Sequence, residues 1–249
     1  FNTEYVVSYP NGTLYAVSTV DGSAQSIGNT GLGGNVTGIR WDSTSGSSFA
    51  MAYDSGTGNS CLNSLDLTTG ATQQIGCASG MLIIDIAIDP SGAMYGVDII
   101  ADALVAIDKT TGAAQAIGSI GFDANFAQGM DFDAATGTLY LAGYDRNAGG
   151  GIYTVDLTTG LATKQFSIPE TDAFAIAVAS GPCATPADVP WLSESPTSGT
   201  TTAGNSTDVT VTMDATSLTA GTYSANVCVN TNDQTQRHVA VPVTFTVNG

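Results

Sequence analysis

Basic residues and histidine are the scarcest chemical groups in this chain. Lys and Arg total 5 against 22 Asp and Glu, which gives a formal net charge of −17, and His238 is the only histidine. A surface of that charge repels polyanions, so nucleic acid is a poor partner. With a single histidine, the chain has few ligands for a Cys/His zinc site and only one candidate base for a Ser-His-Asp triad. We expect His238, which opens a predicted strand, to be a surface residue.

Long apolar runs are also missing. The longest candidate is the mixed segment "MLIIDIAI" at 81–88, far short of the roughly 20 residues of a membrane span. We therefore expect a soluble chain with no membrane insertion. The chain begins at Phe1 rather than Met, which favours a matured secreted protein or an excised fragment. Abundant Thr, Ser, Gly, Ala and Asn resembles bacterial exported and cell-surface proteins, and we predict an extracellular or cell-surface location.

One fifteen-residue repeat, which we call the phrase, occurs four times in the chain. It is clearest as "LVAIDKTTGAAQAIG" from Leu104 and recurs from Leu62, from Ile152 and, more loosely, from Leu14. An alternating strand, a Thr-Thr-Gly turn and a second strand together predict a β-hairpin. The turn residues repeat with the phrase, and we predict that each Asp carboxylate accepts backbone N–H bonds within its turn. These predicted structural residues are Asp66, Asp108, Asp156, Gly70, Gly112 and Gly160.

The spacing of the four phrases predicts the architecture. Their starts lie 48, 42 and 48 residues apart, a period that suits a four-stranded propeller blade. Two further strand-like segments precede each of the last three phrases, whereas the first phrase has room for only one. A spare strand, "AFAIAVAS" at Ala173 to Ser180, follows the last phrase. We predict that it completes the first blade and closes the ring. The alternatives are insertion into a neighbouring molecule and a chain cut from a longer propeller.

The repeat resembles extracellular β-propeller families whose blades carry D-x-T-T-G hairpins, over residues 1 to 180. This resemblance implies an all-β fold with a four-bladed β-propeller closed by a C-terminal strand. It implies little about activity, because propellers host lyases, hydrolases, adhesins and scaffolds.

The composition changes at Gly181. The following segment is rich in Thr and Val and alternates with period two, which predicts a small β-sandwich. Its segments "PWLSESPTSGT", "AGTYSANVCV" and "VPVTFTV" resemble the immunoglobulin-like modules attached to secreted bacterial peptidases and surface proteins, over residues 183–247. We therefore predict a β-propeller at 1–180, a linker at 181–190 and an immunoglobulin-like β-sandwich at 191–249. Trp191 and Tyr223 are expected as core and corner residues of the sandwich.

Four cysteines, an even number, favour disulfides over metal ligands in such a chain. Cys61 and Cys77 flank one copy of the repeated phrase, so they face each other across its two strands. The immunoglobulin-like resemblance implies a second bond between Cys183 and Cys228, because those modules carry cysteines at these two positions. The alternative is four buried free thiols.

Candidate catalytic residues are few. Asp85, Asp89, Asp131 and Asp133 could supply paired carboxylates for glycoside hydrolysis, but the Asp at each strand end more simply caps a turn. The five basic residues are scattered, and none lies beside an evident partner set. No D-x-D-x-D-G loop is present, so calcium is possible but unplaced. We predict no catalytic, cofactor-binding or metal-binding residues.

These observations favour a non-catalytic secreted or cell-surface structural or interaction protein. It could be an adhesin, or a subunit of an extracellular assembly or filament. Its partners would be other protein chains, further copies of itself, and surface glycans. The alternative is the accessory region of a larger secreted hydrolase whose catalytic domain lies outside these residues.

Overall fold

A computed structural model describes residues 3–19, 21–125, 128–134, 136–168, 183, 188–202, 204–231 and 238–249. The chain divides into two compact units, Phe1–Ala179 and Ser180–Gly249. Apart from a short 3-10 helix at Gly33–Asn35, the regular elements of the described residues are β-strands. No helix in these ranges has the length and apolar character needed to cross a membrane. The predicted closing strand at 173–180 lies outside the described residues.

Among its described residues, the first unit contains four antiparallel sheets. The first sheet has three strands, in the order β1 (Thr3–Val7), β2 (Thr13–Ser18) and β3 (Ala24–Asn29). The second has four strands, β4 (Val36–Asp42), β5 (Ser47–Asp54), β6 (Asn59–Leu65) and β7 (Thr72–Ser79). The third has β8 (Ile83–Ile88), β9 (Met94–Asp98), β10 (Ala103–Ile107) and β11 (Ala114–Ser119). The fourth has β12 (Gly129–Asp133), β13 (Thr138–Asp145), β14 (Gly149–Val155) and β15 (Ala162–Ile168).

Each sheet is a meander in which every strand pairs with its neighbour in sequence, as in a propeller blade. The repeated phrase forms the last two strands of each sheet, and its register shifts at the same place in all four copies. β8 lies against both β4 and β12, so the first strands of three successive sheets are neighbours. The chain therefore forms an all-β, four-bladed propeller-like arrangement.

Apolar clusters fill the spaces between successive blades. The cluster between blades three and four includes Leu104 and Leu141, and the cluster between blades two and three includes Met51 and Ile86. A smaller cluster around Leu14 joins blades one and two. Burial of these side chains supplies the main stabilisation of the unit.

A glycine joint also connects successive blades. Gly28, Gly76 and Gly118 each lie near the end of one blade, directly beneath the Thr-Thr-Gly turn of the next. A Cβ at any of the three would lie well under 3.0 Å from the carbonyl oxygen of that turn's second Thr. Only glycine permits this close approach of two backbones.

The corresponding position in blade four has no glycine. Counting from the start of each final strand, Phe166 occupies it, and its side chain is 69% exposed. In blade one, the turn glycine Gly22 has nothing within 4 Å of where a Cβ would lie. The described residues thus make the glycine joint between consecutive blades, and Phe166 does not make it.

The second unit has two two-stranded sheets among its described residues. They pair β16 (Leu192–Ser195) with β17 (Thr210–Met213), and β18 (Gly221–Asn230) with β19 (His238–Val247). Trp191 is buried, with its ring centroid 6.2 Å from that of Tyr223 and 5.9 Å from that of Phe245. The Tyr223 hydroxyl donates to the carbonyl of Thr219 at 2.9 Å. These residues form a small aromatic centre for the unit.

Candidate functional site

The repeated Asp residues stabilise turns. The N–H of Thr68 donates to Asp66 at 2.8 Å, and the N–H groups of Thr110 and Thr158 donate to Asp108 and Asp156 at 2.7 Å. Hydrogen bonds from Thr68, first from its hydroxyl and then from its N–H, lower the pKa of Asp66 to about 2. The same kind of bonding lowers the pKa of Asp108 and of Asp156. These carboxylates are held ionised within the turns that form the glycine joints.

The first strands of blades two, three and four meet at Arg40. Its guanidinium donates to Asp131 at 3.1 Å and approaches Asp85 at 3.5 Å. It also donates to two backbone carbonyls, Ile86 at 2.9 Å and Met130 at 2.6 Å. One side chain from β4 therefore connects β8 and β12 through four contacts, and we name Arg40, Asp85 and Asp131 the axial cluster.

Asp85 is the most unusual member of the axial cluster. It has a φ of 59°, which is rare for a residue other than glycine, and it lies at the irregularity in the β8–β9 register. Its carboxylate accepts the N–H of Ile86 and the N–H of Met130, both at 2.8 Å. Burial raises its pKa, opposed by the charge of Arg40. Gly38 allows this arrangement, because a Cβ there would lie 2.6 Å from the Asp85 carboxylate.

The other two candidate acids lie at turns. Asp89 accepts the N–H of Ser91 at 2.9 Å and its hydroxyl at 2.7 Å, and Asp133 accepts the hydroxyl of Thr136 at 2.8 Å. The structure thus separates the four carboxylates into an axial pair that shares Arg40 and two turn caps.

The expectation that no basic residue lies beside an evident partner set is wrong. Besides Arg40, Lys109 donates to Asp42 across 67 residues of sequence, and Arg146 lies 3.5 Å from Asp123. The partners were missed because ring topology, rather than sequence proximity, brings them together. One signal was present: Arg40 and Asp131 each stand two residues before the Asp that ends their strand, so opposite charges occupy the same level of the ring.

An inner groove of about 390 Å³ opens beside the axial cluster. Its walls include Thr3 to Tyr5 of β1, together with Arg40 and Asp131 of the axial cluster. Tyr5 is 37% and Val6 46% exposed. Among the described residues, no strand pairs with the side of β1 that β2 does not occupy, where the other three blades carry their first strand.

An outer cleft of about 660 Å³ lies at one end of blade two. It runs between the turn that ends at Ser47 and the turn that begins at Asp66. Trp41, which is 54% exposed, and the buried Ser48 line both the outer cleft and the inner groove. Sequence reasoning gave Trp41 no role, because one aromatic residue in a strand carries no signal of exposure.

The four cysteines form two disulfides in the structure, and His238 lies at the start of a strand. Cys61 is bonded to Cys77 across directly opposite positions of β6 and β7, and Cys183 is bonded to Cys228. His238 begins β19. Over the described ranges, no three Cys, His, Asp or Glu residues are grouped to hold a metal ion.

No protein-family model and no curated protein matches this chain. Solved structures do match, including regucalcin, a calcium-binding protein from Agrobacterium tumefaciens, at 19% identity and a TM-score of 0.53 over 74% of this chain and 62% of that one. An auxiliary nutrient binding protein from Bacteroides ovatus matches at 16% identity and a TM-score of 0.49, covering 68% of this chain and 40% of that one. Virginiamycin B lyase from Staphylococcus aureus matches at 14% identity and a TM-score of 0.44, covering 69% and 57%.

These likenesses concern the fold. The chain spans 40% to 62% of the length of those structures. Regucalcin, with its higher TM-score, supports the propeller-like arrangement of the first unit. A likeness of fold at 19% identity does not assign an activity.

Proposed function

We propose that this chain is a non-catalytic secreted or cell-surface protein that acts through contacts with other chains. It would serve as an adhesin or as a subunit of an extracellular assembly. The observation that carries this proposal is the axial cluster. Glycoside hydrolysis needs one carboxyl group to donate a proton and a second to act as base or nucleophile. Here Arg40 engages both axial carboxylates, Asp85 and Asp131, and backbone N–H groups occupy them further.

The extracellular part of the proposal is supported by the two disulfides. Such bonds form and persist in oxidising compartments and are rare where thiols are kept reduced. A chain with 22 acidic and 5 basic residues also suits a protein that must remain dispersed outside the cell.

The inner groove is the proposed position of the closing strand. In this proposal the segment at 173–180 lies along β1, completes blade one and covers Tyr5 and Val6. Blades four and one would then meet without a glycine joint. The closing strand would therefore supply the main contact between these two blades. A chain ending after Ser167 should lose cooperative unfolding of the first unit, and a peptide of residues 173–180 should partly restore it. An unchanged melting curve for the shortened chain would exclude this closure.

The second unit is proposed as an immunoglobulin-like module at 191–249, reached by a linker at 181–190. Buried Trp191 and the bond between Cys183 and Cys228 support it. So does the Tyr223 hydroxyl, which donates to a backbone carbonyl four residues upstream, as in the tyrosine corner of such sandwiches.

The size of the native protein tests the interaction role. Analytical ultracentrifugation of the purified native chain, with electron micrographs of the same sample, should show complexes larger than one chain or a retained partner. Uniform monomers that retain no partner after mild cross-linking of intact cells would contradict the proposal.

A further inference from the structure

Trp41 stands half exposed at the edge of the outer cleft. It is 54% exposed, and its ring lies beside the turn at Gly46, with Cη2 4.0 Å from where a Cβ on that glycine would be. Counting back from the Asp that ends each first strand, the equivalent residues are Ile88 and Phe132. Phe132 is only 5% exposed and belongs to the core between blades. Blade two therefore presents to water an aromatic ring at a position that blade four buries.

Ser48 lies next to Trp41 across the β4–β5 pair. It is 7% exposed, and within the described chain its hydroxyl has no hydrogen-bond partner. The equivalent partners of Ile88 and Phe132 are Met94 and Leu139, both apolar and buried. A buried hydroxyl without a partner is costly, so Ser48 gains a hydrogen bond if its side chain turns toward a ligand in the cleft.

The charged groups beside the cleft already have partners. Asp66 accepts the hydroxyls of Thr68 and Thr69 at 2.6 and 2.8 Å. Asp42, which is fully buried, is engaged by Lys109 and by the hydroxyls of its own turn. A cationic ligand would want a free carboxylate or several aromatic rings, and Trp41 is the one ring among the described residues of this cleft. An anionic ligand would be repelled by the net charge of −17.

We propose that the outer cleft binds a segment of a neutral oligosaccharide. The C–H face of a sugar ring would stack on the negatively polarised face of the Trp41 indole. Its hydroxyls would bond to the polar side chains Ser64 and Gln73, which line the same cleft, and to Ser48 once that side chain turns toward the ligand. The volume of about 660 Å³ lies within the range of small-molecule sites. This assignment rests on the proposed non-catalytic interaction role and names one class of partner for it. It also requires that the closing strand proposed for the inner groove leave Trp41 and Ser48 open to the outer cleft, because both residues line that groove as well.

Tryptophan quenching can detect such binding directly. The chain has two tryptophans, and Trp191 is only 7% exposed, so acrylamide quenching of the intact protein reports chiefly on Trp41. Hexasaccharides of glucose, mannose and N-acetylglucosamine serve as neutral probes, and a galacturonic acid hexamer serves as the anionic control. At least one neutral probe should protect Trp41 from quenching, and the anionic hexamer should not.

Two variants separate binding from folding. Trp41→Ala should weaken the binding of that probe, measured by calorimetry, roughly tenfold or more. Ser48→Ala should weaken it about threefold while leaving the melting temperature unchanged or higher, because it removes an unpartnered buried hydroxyl. If Ser48 has only a structural role, Ser48→Ala should instead lower the melting temperature and leave binding unchanged. Phe166→Ala removes an aromatic ring that is also exposed but lies outside the cleft, and it should bind as the wild type does.

Three results would overturn the assignment: no neutral probe protects Trp41, the anionic hexamer binds as well as the neutral ones, or Trp41→Ala and Ser48→Ala bind normally. Mass spectrometry of the same incubations keeps the two proposals apart. Cleaved probe would contradict the non-catalytic role while leaving the cleft assignment in place, whereas intact but unbound probe would contradict the cleft alone.

Discussion

Substitution of Gly76 by alanine tests the glycine joint in the middle of the ring. The new Cβ would lie well under 3.0 Å from the carbonyl oxygen of Thr111. The atoms of Thr111 that it would meet belong to the backbone. No side chain can therefore rotate away, and the turn at Gly112 must move by on the order of 1 Å. Overpacking of this kind costs about 1–3 kcal/mol, and loosening of the blade contact adds to it. We expect a loss of about 3 kcal/mol, which lowers the melting temperature by about 6–12 °C in a unit of this size.

Circular dichroism melts of two matched variants complete this experiment. Phe166→Ala changes the equivalent position of blade four, where no turn docks in the described residues, and should shift stability by about 0.5 kcal/mol or less. Gly58→Ala has a φ of 73° and nothing within 4 Å of the new Cβ, so it measures backbone strain alone, about 1 kcal/mol. If Gly76→Ala melts like the wild type, or no lower than Gly58→Ala, the joint is not a steric requirement.

Three further perturbations address the axial cluster, the turns and the disulfide. Arg40→Met should lower the free energy of unfolding in urea by about 2–4 kcal/mol, because Asp85 remains buried without its counter-charge, and adding Asp85→Asn should recover part of the loss. The pKa of Asp66 is lowered to about 2, so its contribution to stability is present above its unfolded pKa near 3.9 and is lost as pH falls through about 2. Asp66→Asn should therefore flatten the fall in melting temperature between about pH 4 and pH 2. Replacing Cys61 and Cys77 by alanine should lower stability by about 3 kcal/mol in the chain-entropy model, seen as a lower urea midpoint.

Each of these outcomes has a contrary result. Arg40→Met with wild-type stability would mean that the axial contacts are solvent-screened. An unchanged acid transition in Asp66→Asn would show that this carboxylate does not contribute to the pH dependence. A wild-type urea midpoint in the double alanine variant would show that the segment between Cys61 and Cys77 keeps its order in the unfolded chain, so that the disulfide removes little entropy from it.

The repeat was sufficient to predict the blades, because each copy carries its own local instructions. Alternating strands, an Asp that accepts turn N–H groups and a glycine in the turn specify a hairpin without reference to distant residues. The structure shows Asp66 and Gly70 in these positions. The pair Cys61 and Cys77 was predictable for the same reason, since both cysteines flank one hairpin.

Contacts between blades were not predictable in the same way. In the sequence, Gly76 indicates only that a strand is ending. The structure shows that a glycine is required there because the turn of the next blade lies directly against it. Arg40 finds Asp85 and Asp131 across 45 and 91 residues of sequence. Trp41 became a candidate only when its exposure and the unpartnered hydroxyl of Ser48 were seen together. Closure by the segment at 173–180 remains a prediction.

The proposed non-catalytic role is tested most directly by turnover of the intact chain on a broad panel of glycoside, ester, lactone and peptide substrates. Asp131→Asn provides the control, because Asp131 is the axial carboxylate that lines the inner groove. We expect background rates for both proteins, together with a lower melting temperature for Asp131→Asn through its lost contact with Arg40. Turnover by the wild type that Asp131→Asn abolishes would show that the axial cluster is an active site and that the protein is not a purely structural or interaction protein.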